Sequence, residues 1–288
     1  MVIFPLRYGD YEADLVPQIG GGLAAFRWQG RDVMRAATHS AVAALDPLGL
    51  AMFPMVPWSN RVAHGRFSFG EHRVALPRNM GGHPHAIHGH GWQQPWTVAK
   101  TSSASALLVY DHVPDAWPWA YRAELGYALT DTGLETRLTV ENQSDAPMPA
   151  GLGLHPYFVR TPQMQLHAQL DGWWETDADI MPTVHSAVTA RTGWSSRLHG
   201  DRTTDTAFTG WDGTAYLAWP ETGLSLMMTA SQAARWLVIY APVDESIACV
   251  EPVTHPTDAF NQPGSPGIRI LHPGERAALS ARFQASWC

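Results

Sequence analysis

Basic residues are scarce in this chain of 288 residues. Lysine and arginine together number 19, against 26 aspartate and glutamate residues, so the formal net charge is −7. No run of basic residues occurs anywhere in the sequence. Because a phosphate backbone is bound by clustered lysine and arginine side chains, the composition argues against a nucleic acid as partner.

Cysteine and long apolar runs are also nearly absent. The two cysteines, Cys249 and Cys288, are too few for a disulfide framework. No stretch approaches the ~20 consecutive apolar residues of a membrane-spanning helix. The segment Met1–Arg7 lacks the basic region that begins a secretory signal. The sequence therefore predicts a cytoplasmic protein with no membrane partner.

Helical periodicity is the third feature of which the sequence has little. Only Ala41–Leu45 and Ser231–Arg235 could form a helical turn or two. Parallel strands need long crossover connections, which are usually helices, so a parallel sheet is excluded. The 25 glycines and 22 prolines separate short runs of β-forming residues, and this pattern predicts an antiparallel β protein.

Several segments have the length and spacing of paired strands. Two pairs are separated as in β-hairpins, namely Phe67–Phe69 with His72–Leu76 and Tyr121–Thr130 with Leu134–Glu141. Further apolar runs of strand length are Leu226–Thr229, Trp236–Tyr240 and Ile247–Val250. No repeat, low-complexity tract or charge run divides the chain. We therefore expect an all-β fold, a large antiparallel β-sandwich that forms a single domain over residues 1–288.

Tryptophan, by contrast, is abundant, with 13 residues. Indole rings pack well in cores, and they also line pockets for flat or ring-shaped ligands. We expect most of them in the core and about two or three on a ligand-binding surface.

Four histidines fall within eight residues: His83, His85, His88 and His90. Imidazole is the commonest metal ligand, so a transition-metal site must be considered. In a continuous strand, however, the first two would face one way and the last two the other. The sequence therefore predicts no metal here, and one or two neutral histidines that form hydrogen bonds in a binding site.

Two polar segments are candidates for binding hydroxyl groups. Asn60 and Arg61 end an extended proline-containing stretch, and their donors suit hydroxyl and carboxylate oxygens. Pairing with a structural carboxylate is the more common use of such an arginine. Asp205 lies near two aromatic residues, Phe208 and Trp211, and suits either a hydroxyl-binding corner or an ordinary turn.

Two further segments each present one ionisable side chain that could carry a proton. His155 precedes Pro156, which favours an extended backbone, and an imidazole there could donate a proton or simply bond to a carbonyl. Glu251 ends the apolar run from Ile247 and precedes Pro252. A buried glutamate is unusual, so this carboxyl group has either an arginine partner or a function.

The order of these motifs along the chain is more specific than any one of them. Asn60-Arg61, His88-Gly89, His155-Pro156-Tyr157 and Glu251-Pro252 resemble, in sequence and spacing, the aldose 1-epimerase (galactose mutarotase) family. The resemblance extends from about Gly20 to the C-terminus, which covers essentially the whole chain.

The resemblance implies a fold, an activity and a role for each site residue. The fold would be the β-sandwich of galactose mutarotase, and the enzyme an isomerase for the α and β anomers of a free sugar. His155 would be the general acid and Glu251 the general base. The substrate-binding residues would be Asn60, Arg61, His88, Tyr157 and Asp205.

The chemistry of mutarotation suits these residue types. One group takes the proton of the C1 hydroxyl while another protonates the ring oxygen, the ring opens to an aldehyde, and closure on the other face reverses both transfers. An acid and a base on opposite sides of the ring suffice, each worth about 10²–10⁴-fold, with no metal or other cofactor. We expect burial to raise the pKa of Glu251 and the nearby carboxylate to favour protonated His155, which gives a bell-shaped pH profile near neutrality.

Three alternatives remain open from the sequence. An enzyme on the same scaffold could act on a hexose 6-phosphate or another anionic sugar, with a basic pocket drawn from Arg61, Arg66, Arg73, Arg78, Arg122 and Arg160. A carbohydrate-binding protein could keep the fold without catalysis, although binding alone needs neither His155 nor Glu251 as a proton carrier. A cupin-like metalloenzyme built on the clustered histidines is disfavoured by strand parity.

Overall fold

The computed structural model describes residues 2–188, 194–197 and 203–288, and β-strands dominate that part of the chain. The strands of the first half are β1 Phe4–Tyr8, β2 Tyr11–Val16, β3 Gly22–Trp28, β4 Arg31–Asp32, β5 Met52–Met55, β6 Arg61–Val62, β7 Arg66–Phe69, β8 His72–Ala75, β9 Ala86–Ile87, β10 Thr97–Thr101, β11 Ser105–His112, β12 Tyr121–Thr130 and β13 Gly133–Asn142. Those of the second half are β14 Met148–Ala150, β15 Gly153–Val159, β16 Gln165–Ala168, β17 Gly172–Thr176, β18 Pro182–Ala187, β19 Trp194–Arg197, β20 Thr204–Thr209, β21 Thr214–Trp219, β22 Leu224–Ala230, β23 Trp236–Ala241, β24 Ile247–Val253, β25 Arg269–Leu271 and β26 Arg276–Trp287.

Helical structure in the described residues is limited to short segments. The helix α1, His39–Ala43, begins at Thr38, whose hydroxyl accepts a hydrogen bond from the Ala41 N–H. Single 3₁₀ turns are formed by Pro47–Gly49, Ala63–Gly65, Gly91–Gln93 and Ala259–Asn261. No helix in the described ranges is long and apolar enough to cross a membrane.

Two large sheets form the sandwich. The strand order of the 11-stranded sheet is β1-β2-β3-β5-β15-β24-β23-β20-β17-β18, with β4 beside β3. The order of the 9-stranded sheet is β10-β11-β12-β13-β26-β22-β21-β16-β19. The pairings between named strands are antiparallel. The predicted fold class is confirmed: the described residues form an all-β, large antiparallel β-sandwich.

The predicted hairpins are confirmed. Phe69 pairs with His72 across Gly70-Glu71, and Thr130 pairs with Gly133 at the end of the long β12–β13 hairpin. In β12 every second residue is buried, as period-two alternation requires of a strand with one face on the core. The helical turn predicted near Ala41 forms as α1, and the one at Ser231 is a single turn that leads into β23.

The central strands of the 11-stranded sheet are covered on both faces. In β15 and β24, Leu154, Phe158 and Val250 pack in the main core between the two sheets. The alternate residues, including Tyr157 and Cys249, belong to a second apolar cluster on the opposite face. Because β24 is buried along its whole length, a polar side chain on its second face lies in a nearly dry environment.

Candidate active site

The site is built on the second face of the three central strands β5, β15 and β24. Phe53 is paired with His155, Gly153 with Val253, and Tyr157 with Cys249. Continuing the antiparallel register between the last two pairs places His155 opposite Glu251. Directly opposed residues of an antiparallel pair have their side chains on the same face and close together.

A cavity of about 510 Å³ opens above these strands. All seven site residues predicted from the sequence line it: Asn60, Arg61, His88, His155, Tyr157, Asp205 and Glu251. They come from segments as far apart in sequence as β6 and β24, so the fold brings together what the sequence shows only as separate motifs. A volume of this order falls within the range of small-molecule pockets.

His155 and Glu251 form a buried pair at the floor of the pocket. The distance from His155 Nε2 to Glu251 Oε1 is 3.4 Å. The side chains are 7% and 2% exposed, so both are almost fully removed from water. Glu251 Oε2 has no hydrogen-bond partner among the described residues, which leaves an acceptor free for a ligand. The two groups lie side by side, not on opposite sides of a ring-sized space as the sequence argument expected.

Burial moves the two pKa values in opposite directions. The pKa of Glu251 is raised well above its usual value, mainly by burial and also by the carboxylate of Asp205. The pKa of His155 is lowered to about 3, by burial and by the positive charges of Arg35 and Arg61. The direction for the glutamate agrees with the sequence argument. The direction for the histidine was predicted wrongly, because desolvation of the imidazolium outweighs its attraction to the carboxylate.

Most of the N–H donors of the Arg61 guanidinium already have hydrogen-bond partners. Its Nη2 atom lies 2.9 Å from Asp205 Oδ2, and both side chains are only 9% exposed. Nη1 donates to Asn60 Oδ1 at 3.1 Å and more weakly to Asp205, while Nε donates to His83 Nε2. The carboxylate partner that the sequence left open is therefore Asp205, itself a predicted site residue. Little of the guanidinium is free, so it fixes the positions of its neighbours as much as it offers donors to a ligand.

Asn60 and His88 are joined by reciprocal bonds. The Asn60 N–H donates to His88 Nδ1 at 3.1 Å, and the His88 N–H donates to the Asn60 carbonyl. Both residues have positive φ values, of 54° and 61°. Since His88 Nδ1 accepts a hydrogen bond and burial lowers the pKa of this imidazole well below its usual value, the ring is neutral and Nε2 carries the hydrogen. His88 can therefore donate from Nε2 to an oxygen.

Glycine is required after His88 because the backbone passes close to Val56, the residue that follows β5. Gly89 has a φ of 73°, and a Cβ atom added to it would lie 2.0 Å from the Val56 carbonyl oxygen. A larger residue would displace either the loop or the strand, which explains the His-Gly order that the sequence shows.

The four clustered histidines do not lie on one continuous strand, as the sequence argument assumed. Only Ala86–Ile87 is a strand in this segment, and the positive φ of His88 breaks any continuous alternation. His83 contacts Arg61, His85 accepts from the His64 N–H, and His88 enters the pocket. His90 stacks on His112 with ring centroids 4.5 Å apart. The parity argument thus used the wrong local structure. His83 lines the pocket together with His88, and the rings of His83 and His85 meet edge to face with their centroids 5.4 Å apart.

The pocket lining differs from the sequence prediction in two ways: it includes an arginine that was not predicted, and it lacks the tryptophans that were. Arg35 lines the wall, with its guanidinium 4.1 Å from the centroid of the Tyr157 ring. The Arg35 N–H donates to the Tyr157 carbonyl, and this pairing brings Arg35 to the pocket. The sequence around Arg35 gives no sign of it. The expected tryptophans are not in the pocket lining that the structure describes. The aromatic surface is formed by Tyr157 and Tyr240, and Phe53 stacks on His155 from below.

Comparison with known proteins identifies the family. Residues 6–284 match the family model described as aldose 1-epimerase. The uncharacterized Escherichia coli K12 protein YphB is 28% identical over 296 residues, with 100% of both chains covered. The chain therefore belongs to the aldose 1-epimerase family, as the motifs predicted.

Solved structures agree with this assignment. The crystal structure of a candidate aldose 1-epimerase from Escherichia coli K12 has a TM-score of 0.91 at 26% identity, covering 100% of this chain and 99% of that chain. A galactose mutarotase-like protein from Clostridium acetobutylicum has a TM-score of 0.86 at 21% identity, covering 99% of this chain and 95% of that chain. The second likeness concerns the fold alone.

Proposed function

We propose that the protein is an aldose 1-epimerase that interconverts the α and β anomers of a free aldose. The observation that carries this proposal is the buried pair of His155 and Glu251, 3.4 Å apart on the floor of a sugar-sized cavity. Family membership makes a carbohydrate isomerase the expected class of enzyme. The substrate and the division of labour between the residues are the parts that we propose.

The pair contains the two groups that ring opening needs. Glu251 accepts the proton of the C1 hydroxyl, and His155 delivers a proton to the ring oxygen. Because both oxygens are bonded to C1, two side-by-side groups can reach them at the same time. After rotation about the C1–C2 bond, closure on the other face of the aldehyde returns both protons. No proton is gained or lost over the cycle, so one proton on the pair is sufficient.

The remaining polar residues position the ring. His88 donates from Nε2 to a sugar oxygen, and Asn60 and Arg61 hold His88 and Asp205 in place around it. Asp205 accepts from a sugar hydroxyl through the carboxylate lone pairs that the arginine leaves free. Tyr157 supplies an apolar face beside His155, since their ring centroids are 4.7 Å apart.

Polarimetry on freshly dissolved, anomerically pure sugars tests the activity. A panel of aldohexoses and aldopentoses is expected to include at least one whose approach to the equilibrium rotation the protein accelerates. If isothermal titration finds a sugar that binds in the pocket while the panel shows no acceleration, the protein is a carbohydrate-binding module and the proposal is wrong.

The pH profile follows from the opposed pKa values. Between the lowered pKa of His155, about 3, and the raised pKa of Glu251, the pair holds one proton, which is the number the reaction uses. At rest this proton is on Glu251, so the reactive form, with Glu251 ionised and His155 protonated, arises by transfer of the proton across the 3.4 Å pair and has the same total charge. Below this window both groups are protonated and no base remains. Above it neither is protonated and no acid remains. We therefore expect kcat/KM to decline only on the alkaline side, with no acidic limb above about pH 4.

Initial rates from pH 3.5 to 10, corrected for spontaneous mutarotation, measure this profile, and circular dichroism confirms that the protein stays folded. The ordinary pKa values of the two groups are 4.5 and 6.5. An acidic limb between these pH values would show that burial does not set the protonation state of the pair.

An anionic aldose is a second candidate substrate, and Arg35 is the observation that favours it. Of the six arginines considered from the sequence, all within the described residues, Arg61 alone lines the pocket, and its charge is paired with Asp205. Arg35 donates from Nη2 to the carbonyl oxygens of Leu48 and Leu50, and it has no carboxylate partner in the described part of the chain. A fixed cation of this kind could bind a carboxylate or phosphate group on the sugar.

Arg35→Met separates the two candidates. If the substrate is anionic, the variant should lose about 10–100-fold in kcat/KM for a hexose 6-phosphate or hexuronate, as expected for one charge-assisted contact of about 1.5–3 kcal/mol. The rate for the matching neutral hexose should be unchanged. Equal losses for the anionic and the neutral sugar would mean that Arg35 holds Tyr157 in place and does not bind a charged group of the sugar.

A further inference from the structure

A third ionisable side chain lies against the His155–Glu251 pair. Cys249 is two residues before Glu251 on β24, so its side chain is on the same face, and it is paired with Tyr157 on β15. One ligand atom from each of His155, Cys249 and Glu251 lies within 4.8 Å of the other two. All three residues are buried. The catalytic chemistry proposed above makes no use of the thiol.

The spacing of these atoms suits a tetrahedral metal ion. A Zn²⁺ ion lies about 2.0–2.2 Å from imidazole nitrogen and carboxylate oxygen, which separates two such ligands by about 3.3 Å. The distance from His155 Nε2 to Glu251 Oε1 is 3.4 Å. The free Glu251 Oε2 adds a second acceptor in the same place. One sulfur, one nitrogen and one carboxylate are ligands that zinc accepts, and the open cavity above them leaves a fourth position for water.

A second cluster in the described residues is a poorer fit. His90, His112 and Asp115 also come within reach of one another. The two imidazole rings, however, are stacked nearly parallel, with an angle of 8° between their planes. Lone pairs in parallel planes do not converge on one ion, and His112 Nε2 already bonds to the Trp117 carbonyl. That group also lacks a soft ligand.

We propose that His155, Cys249 and Glu251 form a site for a borderline-soft divalent cation of the Zn²⁺ type, and that the bound ion inhibits the enzyme by competing with the sugar. On binding, the thiol of Cys249 and any proton on Glu251 release their protons to solvent, and the imidazole binds through its lone pair. The ion then occupies both groups that carry protons in the reaction. The inhibitory half of the inference rests on the proposed function, whereas the site itself does not.

Co²⁺ is the probe for the site, because a tetrahedral cobalt–thiolate bond gives a near-ultraviolet charge-transfer band. Titration of the protein with Co²⁺ should produce this band at one equivalent. Cys249→Ser should abolish the band, and His155→Gln should weaken Co²⁺ binding by more than about tenfold, since even outer-shell changes cost 10–100-fold. Cys288→Ser is the matched control, since it removes the exposed thiol and should leave the band unchanged. Absence of the band, or its loss only in the Cys288 variant, overturns the site.

The inhibitory half is tested with Zn²⁺ in the mutarotation assay. Zn²⁺ should raise the apparent KM of the wild type, EDTA should restore it, and Cys249→Ser should be active but resistant. Equal inhibition of wild type and Cys249→Ser would overturn the regulatory role even if the cobalt band is present. A protein that binds Co²⁺ through Cys249 but shows no mutarotation would contradict the proposed function and leave the metal site standing.

Discussion

Glu251→Gln is expected to lower mutarotation turnover at least about a hundredfold, and His155→Ala to do the same, because each removes one of the two proton-transfer groups. Glutamine keeps the shape and hydrogen-bonding reach of the glutamate but cannot accept a proton. Since the carboxyl group is 2% exposed and its pKa is raised, a neutral amide suits the same surroundings. The sugar should therefore still bind, so the loss should appear in kcat with little change in KM. Initial polarimetric rates over a range of sugar concentrations measure both constants.

Cys249→Ser is the matched control for this pair, because it changes a buried side chain on the same face of the same strand without altering a proton carrier. It should keep the rate of the wild type. Circular dichroism and thermal unfolding should show the sandwich intact in every variant. Near-normal turnover in folded Glu251→Gln or His155→Ala would mean that the roles have been assigned to the wrong residues.

Arg61→Met is expected to raise KM and lower kcat together, with a combined loss of about 10²-fold, because a sugar displaced by ~1 Å no longer meets the acid and the base. The structural reason is that Arg61 fixes Asp205, Asn60 and His83 at once. The variant also leaves the Asp205 carboxylate buried without its partner, which should destabilise the protein by up to about 3 kcal/mol. Kinetics and urea unfolding measure the two effects.

A double variant separates positioning from stability. Arg61→Met combined with Asp205→Asn removes the unpaired charge, so it should regain stability relative to Arg61→Met but none of the activity. Arg122→Met is the surface control, since its pair with Asp111 is 35% and 59% exposed and should contribute only about 0–1 kcal/mol. If the double variant recovers activity along with stability, Arg61 serves the fold and does not position the sugar.

The fold could be predicted from local patterns because the sandwich is built from neighbouring antiparallel strands. Alternation in Tyr121–Thr130 and the short turns at Gly70 and Asp131 define hairpins without reference to the rest of the chain. The pairing of β15 with β5 and β24 could not be predicted in this way. Those strands are far apart in sequence, and all of their residues except Val159 are buried, so they carry no alternation signal.

Seven of the residues that line the candidate pocket could be predicted, but Arg35 and the interactions between the lining residues could not. His155 and Glu251 stand in short motifs whose order along the chain resembles that of a family. The ion pair of Arg61 with Asp205 joins residues 144 positions apart. Arg35 lies in the loop after β4 and is placed at the pocket by its backbone pairing with Tyr157. The lowered pKa of His155 depends on how deeply both faces of the sheet are covered. Local sequence carries no information on that depth.

The central claim, that the pocket opens and recloses the ring of a free aldose, is tested most directly by ¹³C NMR. The substrate is the best sugar of the polarimetric panel, labelled with ¹³C at C1 and ¹⁸O on the C1 hydroxyl. Ring opening breaks the bond from C1 to the ring oxygen and keeps the labelled oxygen as the aldehyde oxygen. With the wild-type protein, the α and β C1 signals should exchange far faster than in buffer, and both should retain the ¹⁸O isotope shift. Exchange no faster than in buffer, or loss of the label in step with exchange, would contradict the account.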